Sequence, residues 1–264
     1  MVAILGEASE SSGECSSITN IELPSNQRDL LKALLKTGKP LVMVLFTGRP
    51  LAITWEHENV PAILNVWFGG SEAGAAVADV LFGDVVPSGK LTATFPRNTG
   101  QIPVFYNHKN TGRPLPEGQW FTKFLTNYLD VPNEPLYPFG YGLSYTTFSY
   151  SDLTLSKSTM KPDDTIEVTV KVTNTGNYDG KEVVQLYIRD MVGTTTRPVK
   201  ELKGFQKVFL KKGETKHVKF TIGVEDLKFY NYDLDFVAEP GEFRVFAGGN
   251  SRDVLEAGFK LTDI

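Results

Sequence analysis

The sequence is poor in cysteine and histidine: it has one cysteine, Cys15, and three histidines in 264 residues. A single cysteine cannot form an internal disulfide, so a disulfide-stapled scaffold is excluded. The histidines are widely separated and no Cys/His cluster is present, so we expect no metal site. They are His57, His108 and His217. The Gly69-Gly70-Ser71 turn lacks the pattern and the lysine of a phosphate-binding loop, so we expect no dinucleotide, no ATP and no other cofactor.

Long apolar runs and an excess of one charge are also missing. No stretch is long enough to span a bilayer. The formal net charge is −4, and acidic and basic residues are interspersed. We therefore expect neither nucleic acid nor a membrane as a partner. The length predicts about two domains.

The first residues form a short apolar stretch. No basic region precedes residues 1–5 and no cleavage site follows them, so the stretch is not predicted to be a signal peptide. It is predicted instead as a buried strand that begins at the first residue. Because a domain rarely begins inside a strand, we expect this chain to be part of a longer protein.

The first half alternates between strand-like and helix-like segments. Apolar runs of strand length occupy residues 2–5, 41–46, 62–68 and 91–95. Near-continuous apolar strands are typical of a sheet that is covered on both faces. Helices are predicted from an N-cap at Ser25 to a stop at Gly38, and from Ser71 to about Phe82. This order predicts an α/β layered domain with a mostly parallel sheet, a partial α/β/α sandwich.

The second half has the pattern of an all-β domain. A stretch rich in Pro, Gly and aromatics, residues 101–148, predicts a long functional or wrapping loop. Alternating apolar residues and further short strands follow it, at residues 166–172, 183–188, 205–210, 217–222 and 243–247. Turns about every ten residues predict an immunoglobulin-like or fibronectin-like sandwich. The predicted domains are therefore residues 1–148, including the loop, and residues 149–264.

Short motifs along the chain indicate more about the fold and the function than composition and periodicity do. In the first half they are Gly6-Glu7 followed by Glu14, Leu23-Pro24-x-x-Gln27-x-x-Leu30, Gly48-Arg49-Pro50, Trp67-Phe68-Gly69-Gly70-x-Glu72-x-Gly74, Ala78-Asp79, and residues 87–91, 110–114 and 139–146. In the second half they are residues 183–187, 197–198, 202–205 and 239–241. In this order they resemble the C-terminal portion of family 3 glycoside hydrolases of the periplasmic β-glucosidase type. The resemblance implies part of the C-terminal α/β domain, followed by a fibronectin type III-like domain.

The resemblance also implies the chemistry of a retaining β-glycosidase. A barrel domain, which nothing in this sequence resembles, would supply an aspartate nucleophile, and the α/β domain would supply the acid/base carboxylate from a loop. By its position in the motif, Glu14 matches the acid/base; we interpret Glu7 as structural, and Glu10 is the alternative acid/base. The competing interpretation is that all three are solvated loop acids. The resemblance implies an arginine a few residues after the acid/base, but this chain has Ile18 there. Either the loop is held by other residues, or the match of Glu14 to the motif is shifted in register.

Two residues of the long loop are candidates for substrate contact. Trp120 could stack on a sugar ring or face the barrel. Arg113 could hydrogen-bond the sugar or hold the loop to the barrel. Trp67 is interpreted as part of the core, and Cys15 as a small buried thiol rather than a nucleophile.

The partners implied by the resemblance are a β-linked oligosaccharide substrate and the barrel domain, in a periplasmic or extracellular enzyme. The chain alone is expected to be inactive or nearly so. One alternative function is a non-catalytic carbohydrate-binding or interaction module, although the sandwich lacks an obvious row of exposed aromatic residues. Another is a structural fragment that docks a separately encoded barrel. An open sheet edge would also allow a homo-oligomer.

Overall fold

The computed structural model describes residues 1–116 and 118–263, which divide into two compact units. The first unit comprises residues 1–85, 93–104 and 128–137. The second comprises residues 86–92, residues 105–127 and the part of the chain from residue 138 onward. The predicted domain boundary between residues 148 and 149 stays a prediction. Within the described residues, no helix is both long and apolar enough to cross a membrane.

The first unit contains a parallel sheet of three strands with helices between them. The strands are β1 (Val2–Gly6), β2 (Val42–Phe46) and β3 (Ala62–Asn65), and the helices are α1 (Ser25–Leu35), α2 (Thr54–Asn59) and α3 (Ala73–Phe82). The strand order is β1-β2-β3, and both pairings are parallel. Met43, Val44 and Leu45 of the central strand are fully buried, as a strand covered on both faces requires. The predicted α/β layer is therefore confirmed.

Some elements of this unit differ from the prediction. Ser25 is the first helical residue of α1, and Pro24 takes the N-cap position without a side-chain cap. Residues 91–95, all of them described, form no strand; Phe95 makes only an isolated bridge to Tyr137. Helix α2 was not predicted, because six residues are too short to show a helical repeat of apolar positions.

Helices α1 and α2 are joined by an ion pair. The Glu56 carboxylate is fully buried and accepts a hydrogen bond of 2.8 Å from Arg28 Nε. That hydrogen bond raises the pKa of the Arg28 guanidinium, whose side chain is 22% exposed. Glu22 lies 3.5 Å from the same guanidinium. Because a buried carboxylate needs a partner, Arg28 fixes the register of α1 against α2.

Arg28→Met is expected to destabilise the first unit by about 3 kcal/mol, since it leaves the Glu56 charge buried without its main partner. The matched control is Lys32→Met. Lys32 lies on the same helix and is similarly placed over the Trp55 ring, but it pairs only with the exposed Asp29. Its loss should cost under about 0.5 kcal/mol. Urea unfolding measures both changes, and equal losses would contradict the assigned role of Arg28.

The second unit is a β-sandwich. Its strands are β4 (Phe148–Leu155), β5 (Thr159–Met160), β6 (Ile166–Asn174), β7 (Gly180–Asp190), β8 (Glu201–Leu210), β9 (Thr215–Ile222), β10 (Phe229–Tyr230), β11 (Phe236–Val237), β12 (Gly241–Gly248) and β13 (Val254–Leu261). One sheet has the order β5-β13-β12-β7-β8, a second has the order β4-β6-β9, and β10 and β11 form a hairpin. A short 3-10 helix spans Val224–Leu227 in this unit, and two more, Ser9–Ser11 and Thr99–Gln101, belong to the first unit. The predicted all-β second half is therefore confirmed.

The core of the sandwich lies between the two larger sheets. Strand β6 contributes four fully buried residues, Ile166, Val168, Val170 and Val172, at the alternate positions that the sequence indicates. Strands β7 and β12 of the other sheet contribute Val184, Leu186, Phe243 and Val245 to the same cluster. Strands β4 and β13 were not predicted, because their apolar and polar positions alternate less regularly.

Candidate active site

The loops that follow the three parallel strands meet at one edge of the sheet. Strands β1, β2 and β3 end at Gly6, Phe46 and Asn65, and parallel pairing places these carboxyl ends side by side. Ligand and catalytic sites of open α/β sheets form at this edge. The predicted carboxylates Glu7, Glu10 and Glu14 all lie on the loop after β1.

Glu7 is the buried carboxylate of this edge. Its side chain is only 6% exposed. It accepts hydrogen bonds from Thr47 Oγ1 at 2.6 Å and from the Gly48 amide at 3.1 Å. Arg49 Nε lies 3.0 Å from its Oε1 as an ion pair, without the alignment of a hydrogen bond. These contacts join the loop after β1 to the turn after β2, which supports the structural interpretation of Glu7.

Glu10 and Glu14 are both exposed on the same loop. Glu10 lies in the short 3-10 helix, and hydrogen bonds from its own backbone amide and from Ser9 lower the pKa of its carboxyl. Glu14 lies in a turn, between Gly13 and Cys15. The backbone of Cys15 has a positive φ of 62°. Cys15 is exposed, so its predicted burial is wrong.

The loop around Glu14 is fixed from the turn after β2. Arg49 Nη2 donates a hydrogen bond to the Ser11 carbonyl and a longer one, 3.4 Å, to the Ser16 carbonyl. Ile18, which stands at the position of the expected arginine, is 38% exposed and has no donor to offer in its side chain. The loop is therefore held by an arginine that comes from a different part of the chain.

The amide of Gln27 holds the start of the same loop. Its Nε2 donates to the Gly6 carbonyl and its Oε1 accepts from the Gly6 amide, both at 2.8 Å. Gln27 therefore takes the place of a neighbouring strand at the last residue of β1. Leu23, four residues earlier, is buried. The burial of Leu23 and the hydrogen bonds between Gln27 and Gly6 together explain the spacing of the Leu-Pro-x-x-Gln motif.

The comparison of the sequence with protein-family models decides the family. Residues 1–145 match the glycosyl hydrolase family 3 C-terminal domain, and residues 182–251 match the fibronectin type III-like domain. The chain belongs to glycoside hydrolase family 3. It is 53% identical over 262 residues to a periplasmic β-glucosidase of Salmonella typhimurium, covering 99% of this chain and 34% of that protein.

Two further relatives agree with this membership of family 3. A β-xylosidase of Formosa agariphila is 44% identical over 252 residues, covering 96% of this chain and 34% of the relative. The crystal structure of a β-glucosidase from Listeria innocua in complex with glucose superposes with a TM-score of 0.92 at 44% identity. That match covers 98% of this chain and 36% of the other. The family 3 chain thus spans about a third of the length of the relatives it matches.

The other two predicted site residues lie in the second unit of the family 3 chain. Trp120 and Arg113 are on the segment of residues 105–127, and Trp120 is 52% exposed. The Arg113 side chain is exposed, and its carbonyl accepts a hydrogen bond of 2.8 Å from the Thr126 amide. Their predicted contacts with substrate stay predictions. Among the described residues, no group of His, Cys, Asp and Glu is placed to hold a metal ion.

The segment of residues 105–127 is attached to the sandwich at its start. Tyr106 stacks on Phe139 with ring centroids 4.3 Å apart, and its hydroxyl accepts a hydrogen bond of 3.3 Å from the Leu202 amide. The Val199 amide donates to the His108 carbonyl at 2.9 Å. The predicted wrapping loop therefore has a defined path in this region, along the start of strand β8.

Trp67 does not lie in a strand, contrary to the prediction. Strand β3 ends at Asn65, and Trp67 has a positive φ of 52° and is half-buried. Its ring packs 5.8 Å from that of Phe95, so the aromatic contact holds the turn after β3 within the first unit. The interpretation of Trp67 as part of the core is therefore met only in part: its ring packs on the buried Phe95, but Trp67 itself is half-buried.

Sequence reasoning missed the residues that hold the loop of this family 3 chain. Arg49 and Gln27 were noted only as parts of motifs, without a role, and Thr47 was not noted. Their hydrogen-bond partners at the end of β1 and in the loop after it lie between 21 and 40 residues away along the chain. The sequence carries no direct signal for these contacts, because the burial of a polar residue such as Thr47 becomes visible only in the folded chain.

Proposed function

We propose that this chain is the acid/base portion of a retaining β-glycosidase that acts on β-glucosides or related oligosaccharides. Glu14 would protonate the leaving oxygen in the first step and deprotonate water in the second. The observation that carries the proposal is an exposed carboxylate on a loop held firmly at the carboxyl edge of a parallel sheet. The named activities of the relatives, β-glucosidase and β-xylosidase, favour the same reaction class.

The second carboxyl group belongs, in this proposal, to a region outside the 264 residues. Retaining hydrolysis needs a nucleophile about 5–5.5 Å from the acid/base. The relatives are about three times as long as this chain, which leaves room for a barrel domain that supplies that nucleophile. Without it the chain would bind and protonate a glycoside poorly and would turn over slowly or not at all.

Hydrolysis of an aryl β-glucoside by the purified chain tests this division of labour. We expect no turnover from the chain alone, even at high enzyme and substrate concentrations. Addition of a barrel-only chain that carries the nucleophile should restore turnover of a β-linked disaccharide, and the Glu14→Ala chain should fail to restore it. Turnover by this chain alone that survives repurification would place the nucleophile within the 264 residues and refute the proposal.

A further inference from the structure

We propose that Arg49 is the positioning residue for Glu14, an inference that rests on the proposed function of that carboxylate. Arg49 lies three residues after the end of β2, and its guanidinium contacts both sides of the loop after β1. One contact is the ion pair to Glu7 at the base of the loop. The others are the hydrogen bonds from Nη2 to the carbonyls of Ser11 and Ser16.

The two carbonyls that Arg49 binds lie on either side of Glu14. Ser11 precedes it by three residues and Ser16 follows it by two. A donor that holds both carbonyls restricts the path of the peptide between them. The loop adds bonds of its own: the Ser16 amide donates to the Gly13 carbonyl at 3.2 Å, and the Ser16 hydroxyl donates to the Glu10 carbonyl at 3.3 Å. The Arg49 guanidinium therefore restrains the Glu14 backbone from outside the loop, in addition to the bonds that the loop makes within itself.

The buried carboxylate of Glu7 fixes the direction in which the Arg49 guanidinium faces. Glu7 is fixed by Thr47 and by the Gly48 amide, so it cannot follow the guanidinium. Arginine presents five donors in a rigid plane, and one of its nitrogens can face the carboxylate while another reaches the carbonyls. A lysine ammonium at the end of a flexible chain could neutralise Glu7 but could not hold the two carbonyls in the same way.

Close packing of the loop on the neighbouring turn agrees with this role. A Cβ atom at Gly48 would lie 1.9 Å from Ser12 Oγ and 2.9 Å from Phe68 Cε2. The loop after β1 therefore packs directly on the turn after β2 at Ser12. No empty space lies between them into which the loop could move when Arg49 is replaced. Displacement of a catalytic group by 1 Å can lower a rate by about 10²-fold, so such an anchor has a large effect on catalysis.

Arg49→Lys is the main test, because it keeps a cation beside Glu7 and so preserves the fold. Hydrogen exchange of the purified chain should show amides of residues 8–17 exchanging roughly tenfold faster, or more, as expected when a charge-assisted hydrogen bond is lost. Amides of β2 should be unchanged. Arg49→Met should give a larger increase at the same residues, and thermal unfolding checks that both variants are folded.

Arg97→Met is the matched control in the same unit. Arg97 Nε donates to the Glu134 carbonyl at 3.1 Å, so this variant also removes a bond from arginine to a backbone carbonyl, away from the Glu14 loop. It should leave exchange at residues 8–17 unchanged. If Arg97→Met loosens these residues as much as Arg49→Lys does, the effect is general destabilisation and the inference is overturned.

Kinetics separate this inference from the proposed function. In a complete β-glycosidase that contains this chain, Arg49→Met should lower kcat for a disaccharide by about 10²-fold with little change in KM, and Arg49→Lys should lie between it and the wild type. Unchanged exchange at residues 8–17 in both Arg49 variants would overturn the inference about Arg49. The assignment of Glu14 as the acid/base would not be affected by that result. Faster exchange together with a harmless Glu14→Ala would instead refute the proposed function.

Discussion

Glu14→Ala is expected to lower kcat for a natural β-linked disaccharide by about 10²- to 10⁴-fold in a complete β-glycosidase that contains this chain. A sugar leaving group is a poor one and departs only when it is protonated. An aryl leaving group of low pKa needs little protonation, so hydrolysis of such a glycoside should fall far less. Steady-state kinetics with the two substrates measures the difference.

The pH dependence gives a second measure of the same substitution. The alkaline limb of the kcat/KM profile reports the essential acid of the free enzyme, so Glu14→Ala should remove that limb. Glu10→Ala is the matched control, because Glu10 is exposed on the same loop and should leave the limb in place. Equal losses on both substrates, or a harmless Glu14→Ala beside a damaging Glu10→Ala, would move the acid/base assignment away from Glu14.

Gly6→Ala is expected to destabilise the first unit by more than about 4 kcal/mol, the range in which single substitutions are exceptional. Gly6 has a φ of +138°, which L residues rarely adopt, and a Cβ there would lie 1.7 Å from the Phe46 carbonyl oxygen. Neither backbone can retreat, because the two strands are paired and the Gln27 amide binds both polar groups of Gly6. Urea unfolding measured by circular dichroism gives the change.

Gly38→Ala measures the cost of a positive φ in the absence of a close contact. Gly38 lies in the same unit with a φ of +69°, and a Cβ there would meet no atom within 4 Å. This control has only the conformational cost, about 1 kcal/mol. A comparable loss in both variants would show that the close approach to Phe46 contributes nothing.

Much of the fold follows from local patterns in the sequence. The run 41–46 predicts a strand buried on both faces, and Val42–Phe46 is the central strand. The alternation at Ile166, Val168, Val170 and Val172 predicts the inner face of β6. The elements that were missed are those without such a pattern. Helix α2 is too short, and residues 91–95 form no strand although Thr94 and Phe95 are buried.

In the candidate site, the features that the sequence predicts are clearly separated from those that it does not. The position of Glu14 within a series of motifs could be read from the sequence, because the motifs come in a fixed order. The residues that hold its loop could not, since Glu7, Thr47 and Arg49 meet only after β1 and β2 pair. The exposure of Cys15 was also missed, because a thiol is usually buried and a tight turn imposes its own geometry.

The exposed thiol beside Glu14 has a practical consequence. Because Cys15 is the single cysteine of the 264 residues, a maleimide or a nitroxide reagent attaches to this chain at one position only. That position is adjacent in sequence to the proposed acid/base and lies between the two carbonyls that Arg49 holds. The line shape of a spin label there would follow the rigidity of the loop directly, in the unaltered sequence and without any engineered cysteine.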